Sequence, residues 1–155
     1  MVSDRVRERK KWYDDGLCFE CAECGYCCSG PQEGYIWITR PEIARLSAFI
    51  GMDEEDVSKL YLKRIETRTT IIEESRTRDC IFLTKMGGQR GCAVYPVRPN
   101  QCRTWPFWPM NLQSADEWNA AGARCPGINR GRLYSLDEIE TIRRQTRWWD
   151  DEPNR

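Results

Sequence analysis

The chain has 155 residues with 24 basic and 24 acidic side chains, so its formal net charge is zero. This balance excludes the strongly basic footprint of many nucleic-acid-binding proteins, and we expect no nucleic-acid partner. The length suits one compact domain, yet mean hydropathy is −0.71, and Trp and Cys supply much of the apolar content. The composition predicts a small domain whose core has a further source of stability.

The N-terminal residues 1–17 are charged and are predicted to form a loose or helical lead-in. They lack the apolar stretch of a secretory signal, and the basic run at 5–11 is typical of a solvated tail. Nowhere does the sequence contain the roughly 18 consecutive apolar residues of a membrane span. We therefore expect no membrane association and a cytoplasmic location, where thiols are kept reduced.

A dense cysteine segment follows at residues 18–30, CFECAECGYCCSG, which holds five of the nine cysteines. A disulfide scaffold is disfavoured because nine is odd, the expected compartment is reducing, and such close cysteines pair only with strain. The chain contains no histidine, which excludes Cys₂His₂ sites and an imidazole general base. The thiols are therefore expected to bind metal or an iron–sulfur cluster.

The next elements are a short strand and two helices. Residues 35–39 favour a strand through their β-branched and aromatic content. Thr39 and Glu42 form a capping-box pattern that predicts a helix, and Gly51 is positioned to end it. Asp53 is a candidate N-cap for a second helix through Tyr61.

The middle of the chain predicts a further strand and a hairpin. Residues 68–73 resemble a strand, and 80–83 and 91–95 resemble paired strands joined by a turn at Gly87-Gly88. This pairing would place Cys80 and Cys92 close together.

The last third of the chain contains several prolines and ends in a predicted helix. Pro99 can begin a helical turn that carries Cys102, and Cys125 lies in a predicted turn. Ser135 and Glu138 form a second capping box, with a helix behind it extending to Trp148 or Trp149. Residues 150–155 are predicted to be disordered.

The cysteine spacings themselves fit a metal site. Four sulfurs on a tetrahedral zinc lie about 3.8 Å apart, a separation that a two-residue gap in a turn can give. Cys18, Cys21, Cys24 and Cys28 also match the C-x₂-C-x₂-C-x₃-C run of bacterial ferredoxins, although Ser29 replaces the usual proline. The spacing does not distinguish zinc from an iron–sulfur cluster, and nine thiols allow two metal sites or one polynuclear site.

One register of the segment carries a family resemblance. Residues 21–28, CAECGYCC, fit a C-x₂-C-G-x-C-C pattern, and CIFL, CAVY, RPNQCR, PF and CPG follow downstream. This order over roughly residues 19–128 resembles the YkgJ-like CxxCxxCC cysteine-cluster family, whose members are described as zinc- or iron-chelating proteins.

The resemblance implies a set of eight metal ligands drawn from five segments, and Cys18 lies outside it. The interpretation of the cysteine spacings as a metal site agrees with this set, which comprises Cys21, Cys24, Cys27, Cys28, Cys80, Cys92, Cys102 and Cys125. We expect a single small α+β domain over residues 18–149, with a few helices, a short β-hairpin and a cysteine-rich metal-bound cluster. The metal would add stability to a core with few aliphatic side chains, since structural zinc contributes ~10–16 kcal/mol of apparent binding free energy.

Two other functions stay open. A related cluster in flagellin lysine methylases implies a cluster-dependent enzyme, methyltransferase-like or redox, with a pocket lined by Arg98, Arg103 and the 105–109 segment. Alternatively, exposed Trp105 and Trp108 would make the domain a metal-supported module for a protein partner. The simpler interpretations are that these tryptophans cover the metal site, that the arginines pair locally, and that Glu23 is a solvated loop carboxylate.

Overall fold

The structure is a computed structural model that describes residues 10–30 and 34–145. Residues 1–9, Trp148, Trp149 and the tail at 150–155 lie outside the described residues, so the predictions made for them stay predictions. No helix in the described ranges combines the length and apolarity that crossing a membrane would need.

The described residues form an α+β domain with five α-helices and seven short strands. The prediction of a small α+β domain is therefore confirmed. The strands make three small antiparallel sheets, ordered β1-β7, β2-β4-β3 and β5-β6. The strands are β1 (Leu17–Phe19), β2 (Ile36–Trp37), β3 (Leu62–Ile65), β4 (Arg68–Ile71), β5 (Leu83–Met86), β6 (Gln89–Cys92) and β7 (Ile128–Tyr134). The helices are α1 (Arg40–Ile50), α2 (Glu54–Tyr61), α3 (Asn100–Thr104), α4 (Ala115–Gly122) and α5 (Leu136–Arg144).

The helix N-termini that were predicted from capping patterns are confirmed. The Glu42 carboxylate accepts the Thr39 N–H at 2.8 Å within a full capping box, and Gly51 ends α1 in the left-handed conformation at φ 79°. Asp53 caps α2 by accepting the N–H of Asp56 at 2.9 Å, and a second capping box begins α5. These ends form where predicted because each needs only neighbouring residues.

The hairpin exists, but its first strand begins later than predicted. The two-residue turn at Gly87 and Gly88, both with positive φ, sets a register in which Leu83 faces Cys92. Cys80 precedes β5 and lies in a turn. The turn is closed by a hydrogen bond that the Leu83 N–H donates to the Cys80 carbonyl at 2.9 Å. The prediction that Cys80 lies on a strand of this hairpin is therefore wrong, although the turn still brings Cys80 to the end of β5 nearest Cys92.

Four elements were not predicted as such: β1, β3, α4 and β7. Strand β7 has the sequence INRGRLY, in which only Ile128 is buried, so it lacks an alternating pattern. It forms because β1 pairs with it, matching Leu17 with Tyr134 and Cys18 with Leu133. Pairing with a partner far along the chain is not visible in local sequence.

Two apolar clusters share the interior. The first packs α1, α2 and the central sheet around Ile38, Leu46, Val57 and Ile71, with Cys80 buried among them. The second contains Phe107, Trp118 and Ile139 together with Tyr13, Leu17 and Phe19. Tyr13 and Leu17 are thus buried in the second cluster although they belong to the segment predicted as a loose or helical lead-in.

A buried carboxylate on α5 holds this N-terminal segment in place. Glu140 accepts the Tyr13 hydroxyl at 2.6 Å, the Lys11 ammonium at 2.8 Å and the Arg143 guanidinium at 2.7 Å. The Arg143 hydrogen bond, followed by those from Lys11 and Tyr13, lowers the pKa of Glu140 to about 2. The charged form of Glu140 therefore stabilises the folded state.

The free energy of unfolding should consequently fall on acidification below about pH 4.5. A depressed folded-state pKa adds stability above the unfolded pKa and loses it as the pH falls towards the folded value. A shift from 4.5 to about 2 corresponds to about 3 kcal/mol. Urea unfolding between pH 7 and pH 2.5 should show this loss in the wild type and not in Glu140→Gln. Equal pH slopes in the two proteins would contradict it, and Glu117→Gln, an exposed position on α4, is the matched control.

Candidate metal centre

The adjacent cysteines Cys27 and Cys28 lie on a single 3₁₀ turn that begins after Gly25. Gly25 is buried at φ 74°, and a Cβ there would stand 2.7 Å from a Leu83 methyl, so the turn requires glycine. The two sulfurs are 4.0 Å apart. Their hydrogen bond lowers the pKa of Cys27 to about 7 and raises that of Cys28, because one sulfur is stabilised as thiolate by the other's proton.

Three cysteines from later in the chain gather around this pair. The Cys80 N–H donates to the Cys28 carbonyl at 2.7 Å, which ties the β5 approach to the 3₁₀ turn. Burial raises the pKa of Cys80 to about 11, and the nearby Cys92 and Cys27 add to the rise. Cys102 on α3 has its pKa raised by burial and then by Cys80, Cys27 and Cys92. Five thiols from four segments therefore interact electrostatically. We call these five residues together the thiol group: Cys27, Cys28, Cys80, Cys92 and Cys102.

Positive charge from Arg98 and Arg124 reaches the thiol group. The Arg98 charge favours the thiolate forms of Cys27, Cys92 and Cys102 and so acts to lower the pKa of each. For Cys92 and Cys102 the effect of burial is larger, and the net pKa is raised. Tyr95 fixes its position, because the Arg98 Nε donates to the Tyr95 carbonyl at 3.0 Å and the guanidinium lies 3.8 Å from the Tyr95 ring centroid. Arg98 thus makes a local hydrogen bond, as one interpretation of the sequence expected, and also places positive charge near the thiols. Arg103, by contrast, is exposed at the end of α3.

The other four cysteines are placed around this group rather than within it. Cys21 is exposed and lies near Tyr95, where it adds to the rise in the Tyr95 pKa that burial causes. Cys24 is partly buried just after Glu23, an exposed residue at φ 50°. Cys125 lies between α4 and β7 and accepts a hydrogen bond from the Trp105 indole at 3.4 Å. Cys18 occupies β1 opposite Leu133.

All nine cysteines are free thiols in the structure. Over residues 10–30 and 34–145, no three histidine, cysteine or carboxylate side chains surround a common point in metal-ligand geometry. The structure therefore brings five of the eight predicted ligands near one another without closing them around an ion. The electrostatic role of Arg124 could not have been found from the sequence, because its position depends on how α4 ends.

The aromatic segment after Cys102 is packed rather than open. Pro106 and Phe107 are buried, while Trp105 and Trp108 are partly buried and meet edge-to-face with ring centroids 4.8 Å apart. The Trp108 indole donates to the Gln101 carbonyl at 3.1 Å. Two depressions in the described surface lie away from this segment, one beside Tyr26 and one beside Glu74. The enzyme alternative expected a pocket lined by this segment, and the interaction-module alternative expected exposed tryptophans. These contacts instead show a segment packed against the domain.

A small α+β domain whose thiols converge from a dense N-terminal segment, a hairpin and a short helix defines a cysteine-cluster domain. Residues 20–126 match the CxxCxxCC family, described as "Putative zinc- or iron-chelating domain". Because the match spans well over half of the 155 residues, the chain belongs to this family. The resemblance drawn from the cysteine order is thereby confirmed, and membership supports metal binding. No solved structure matches the chain significantly.

Proposed function

We propose that the protein binds zinc or iron through a multi-thiolate site built on the thiol group. The observation that carries the proposal is the gathering of five thiols from four separate segments, with the charges of Arg98 and Arg124 directed at them. Such a group has no role in ordinary core packing, where one or two cysteines act as small apolar residues. Cys21, Cys24 and Cys125 lie on adjoining segments and complete the predicted set of eight.

The chemistry of the donor set fits zinc or iron. Thiolates are preferred ligands of both zinc and iron–sulfur clusters. The 4.0 Å separation of the Cys27 and Cys28 sulfurs is close to the ~3.8 Å expected for two sulfurs on a tetrahedral zinc. The raised pKa values of Cys80 and Cys102 come from burial of the thiolate form and from repulsion between thiolates, both of which a multivalent cation offsets. When bound, the metal supplies that cation and cross-links the segments.

The site would also join the two apolar clusters. Cys28, Cys80 and Cys92 pack against the first cluster, and Cys125 with Trp105 packs against the second. A metal held by cysteines from both sides would fix the clusters relative to each other. Structural zinc contributes ~10–16 kcal/mol of apparent binding free energy, which equals or exceeds the stability of a typical domain. This supports a structural contribution of the metal beside any carrier role.

The metal is identified by elemental analysis of freshly purified protein combined with an assay for acid-labile sulfide. Anaerobic purification keeps the thiols reduced, as the expected cytoplasmic location would. Brown protein with absorption near about 400 nm, iron and labile sulfide would assign an iron–sulfur cluster, and colourless protein with stoichiometric zinc would assign a zinc site. Protein with neither metal after anaerobic purification, and none taken up on reconstitution, would reject the proposal.

The hydrogen bond from Trp105 to Cys125 makes a sharper prediction about ligand support. Trp105→Phe removes the indole N–H that reaches the Cys125 sulfur at 3.4 Å but keeps an aromatic ring beside Trp108. Loss of a hydrogen-bonding partner behind a metal ligand typically lowers metal affinity about 10–100-fold. Competition with a chromogenic chelator should show a loss of this order.

The matched control is Trp108→Phe, because the Trp108 indole bonds Gln101 and Thr104 oxygens rather than a sulfur. This variant should keep metal affinity within about threefold of the wild type while losing some stability. Equal effects of the two substitutions on metal affinity would remove Cys125 from the proposed ligand set.

A further inference from the structure

A depression of about 660 Å³ lies immediately beside the turn that carries Cys27 and Cys28. The 3₁₀ turn, the loop before Cys80 and the β5-β6 hairpin form its walls. The lining side chains that matter here are Tyr26, Ser29, Asp79, Lys85 and Arg90. None of these belongs to the predicted ligand set, so the depression is a separate feature that adjoins the candidate metal centre.

Two cations face each other across the hairpin at this depression. Lys85 and Arg90 are directly opposite in the β5-β6 register. Like charges at directly opposite positions destabilise a strand pair unless an anion lies between or beside them. Asp79 supplies one negative charge, with its carboxylate 3.3 Å from the Lys85 ammonium and accepting the Gly30 N–H at 2.8 Å. The three charged groups together leave one net positive charge.

Arg90 carries the charge that lacks compensation within the described part of the chain. Its Nη2 donates to the Ser29 hydroxyl, which in turn donates to the Gly25 carbonyl at 2.9 Å. Its guanidinium carbon lies 5.3 Å from the Tyr26 ring centroid. These are neutral contacts, in contrast to the thiols that Arg98 and Arg124 face.

Among the residues that the structure describes, the Arg90 Nε is a buried donor without an acceptor. An unsatisfied buried donor destabilises the folded state, and more so when it belongs to a charged group. Arginine presents Nε and an Nη as a planar fork that matches two oxygens of a phosphate or carboxylate. The missing acceptor, the net positive charge and the open volume thus occur at one place.

We propose that this depression is a binding site for a small oxyanion of the phosphate type, held by Arg90 with Lys85 as the second cation. The incoming oxygens satisfy the Arg90 Nε, and one negative charge neutralises the excess between the paired strands. Tyr26, half exposed at 51%, gives the site an aromatic wall beside the anion. The site goes beyond the proposed metal binding, and it does not depend on which metal the thiol group takes.

The test is calorimetric titration of the purified, metal-loaded protein with inorganic phosphate, at an ionic strength held constant with sodium chloride. We expect saturable binding of one phosphate per chain, with weaker binding of succinate. Saturation by succinate but not by phosphate would contradict the assigned chemistry. Absence of saturable binding by either anion would overturn the proposal.

Variants locate the binding. Arg90→Gln should weaken phosphate binding about 10–100-fold, as expected for the loss of a charge-assisted pair, and Lys85→Gln should weaken it less. Arg64→Gln, at an exposed arginine on β3, is the matched control and should stay within about twofold of the wild type. Unchanged affinity in Arg90→Gln would overturn the assignment.

Two further measurements keep the test decisive. If Arg90→Gln does not fold, phosphate titration of the wild type followed by amide chemical shifts should move Ser29 and Gly30, and shifts confined to other regions would reject the site. Metal content is determined in every sample. Failure of phosphate binding with full metal content counts against this site alone, whereas loss of metal in the wild type counts against the proposed function.

Discussion

Replacement of Cys102 by serine is expected to strip the metal from the purified protein and to lower the unfolding temperature by at least about 10 °C. Cys102 is the α3 member of the thiol group, and its electrostatic partners are Cys28, Cys80, Cys27 and Cys92. Serine keeps the shape of the side chain but removes the soft sulfur ligand. A loss of about 5 kcal/mol already corresponds to 10–20 °C for a domain of this size.

The measurement combines metal-to-protein ratio with thermal unfolding followed by circular dichroism. Cys18→Ser is the matched control, because Cys18 lies on β1 and outside the predicted ligand set. It should keep metal content near that of the wild type. Full metal content in Cys102→Ser would remove Cys102 from the site, and equal losses in both variants would show that Cys18 is a ligand as well.

Replacement of Trp118 by alanine is expected to lower the free energy of unfolding by about 4 kcal/mol. Trp118 is 1% exposed on α4, stacks on Phe107 with ring centroids 5.6 Å apart, and donates its indole N–H to Asn129 at 2.8 Å. Truncation leaves a large cavity in the second apolar cluster and removes the hydrogen bond to Asn129. Urea unfolding at pH 7 measures the change.

Trp118→Phe separates the two contributions. It keeps an aromatic ring against Phe107 and loses the hydrogen bond to Asn129, so we expect a cost of about 1–2 kcal/mol. Both variants should retain bound metal below their unfolding transitions, because the thiol group packs mainly against the first cluster. A cost under about 1 kcal/mol for the alanine variant would contradict the role assigned to Trp118.

Parts of the fold that depend on neighbouring residues could be predicted from the sequence. The capping boxes at Thr39 and Ser135, the cap at Asp53 and the turn at Gly87-Gly88 are confirmed. Each of these satisfies backbone groups within three or four residues, so its signal is local. Strands β1, β3 and β7 were missed because they are short or polar and are specified by their pairing partners.

For the candidate site, the sequence predicted the set of ligands, which stays a prediction, and the family match confirms the type of domain. It did not indicate that Cys27, Cys28, Cys80, Cys92 and Cys102 influence one another electrostatically, while Cys125 accepts a hydrogen bond from Trp105. The sequence analysis also did not pair Lys85 with Arg90, because it placed the hairpin strands at 80–83 and 91–95, farther from the turn than the observed strands.

The amino-acid sequence by itself determined the chemistry available to this protein: nine thiols, no imidazole, and balanced charge in a lean core. Spacing, residue type and helix capping act over a few residues, so they survive in the linear order. Only the tertiary structure decided which thiols share one electrostatic environment, where Arg98 and Arg124 direct their charge, and that the Arg90 Nε lacks an acceptor among the described residues. These depend on distances between segments tens of residues apart, which folding sets by burying two apolar clusters together.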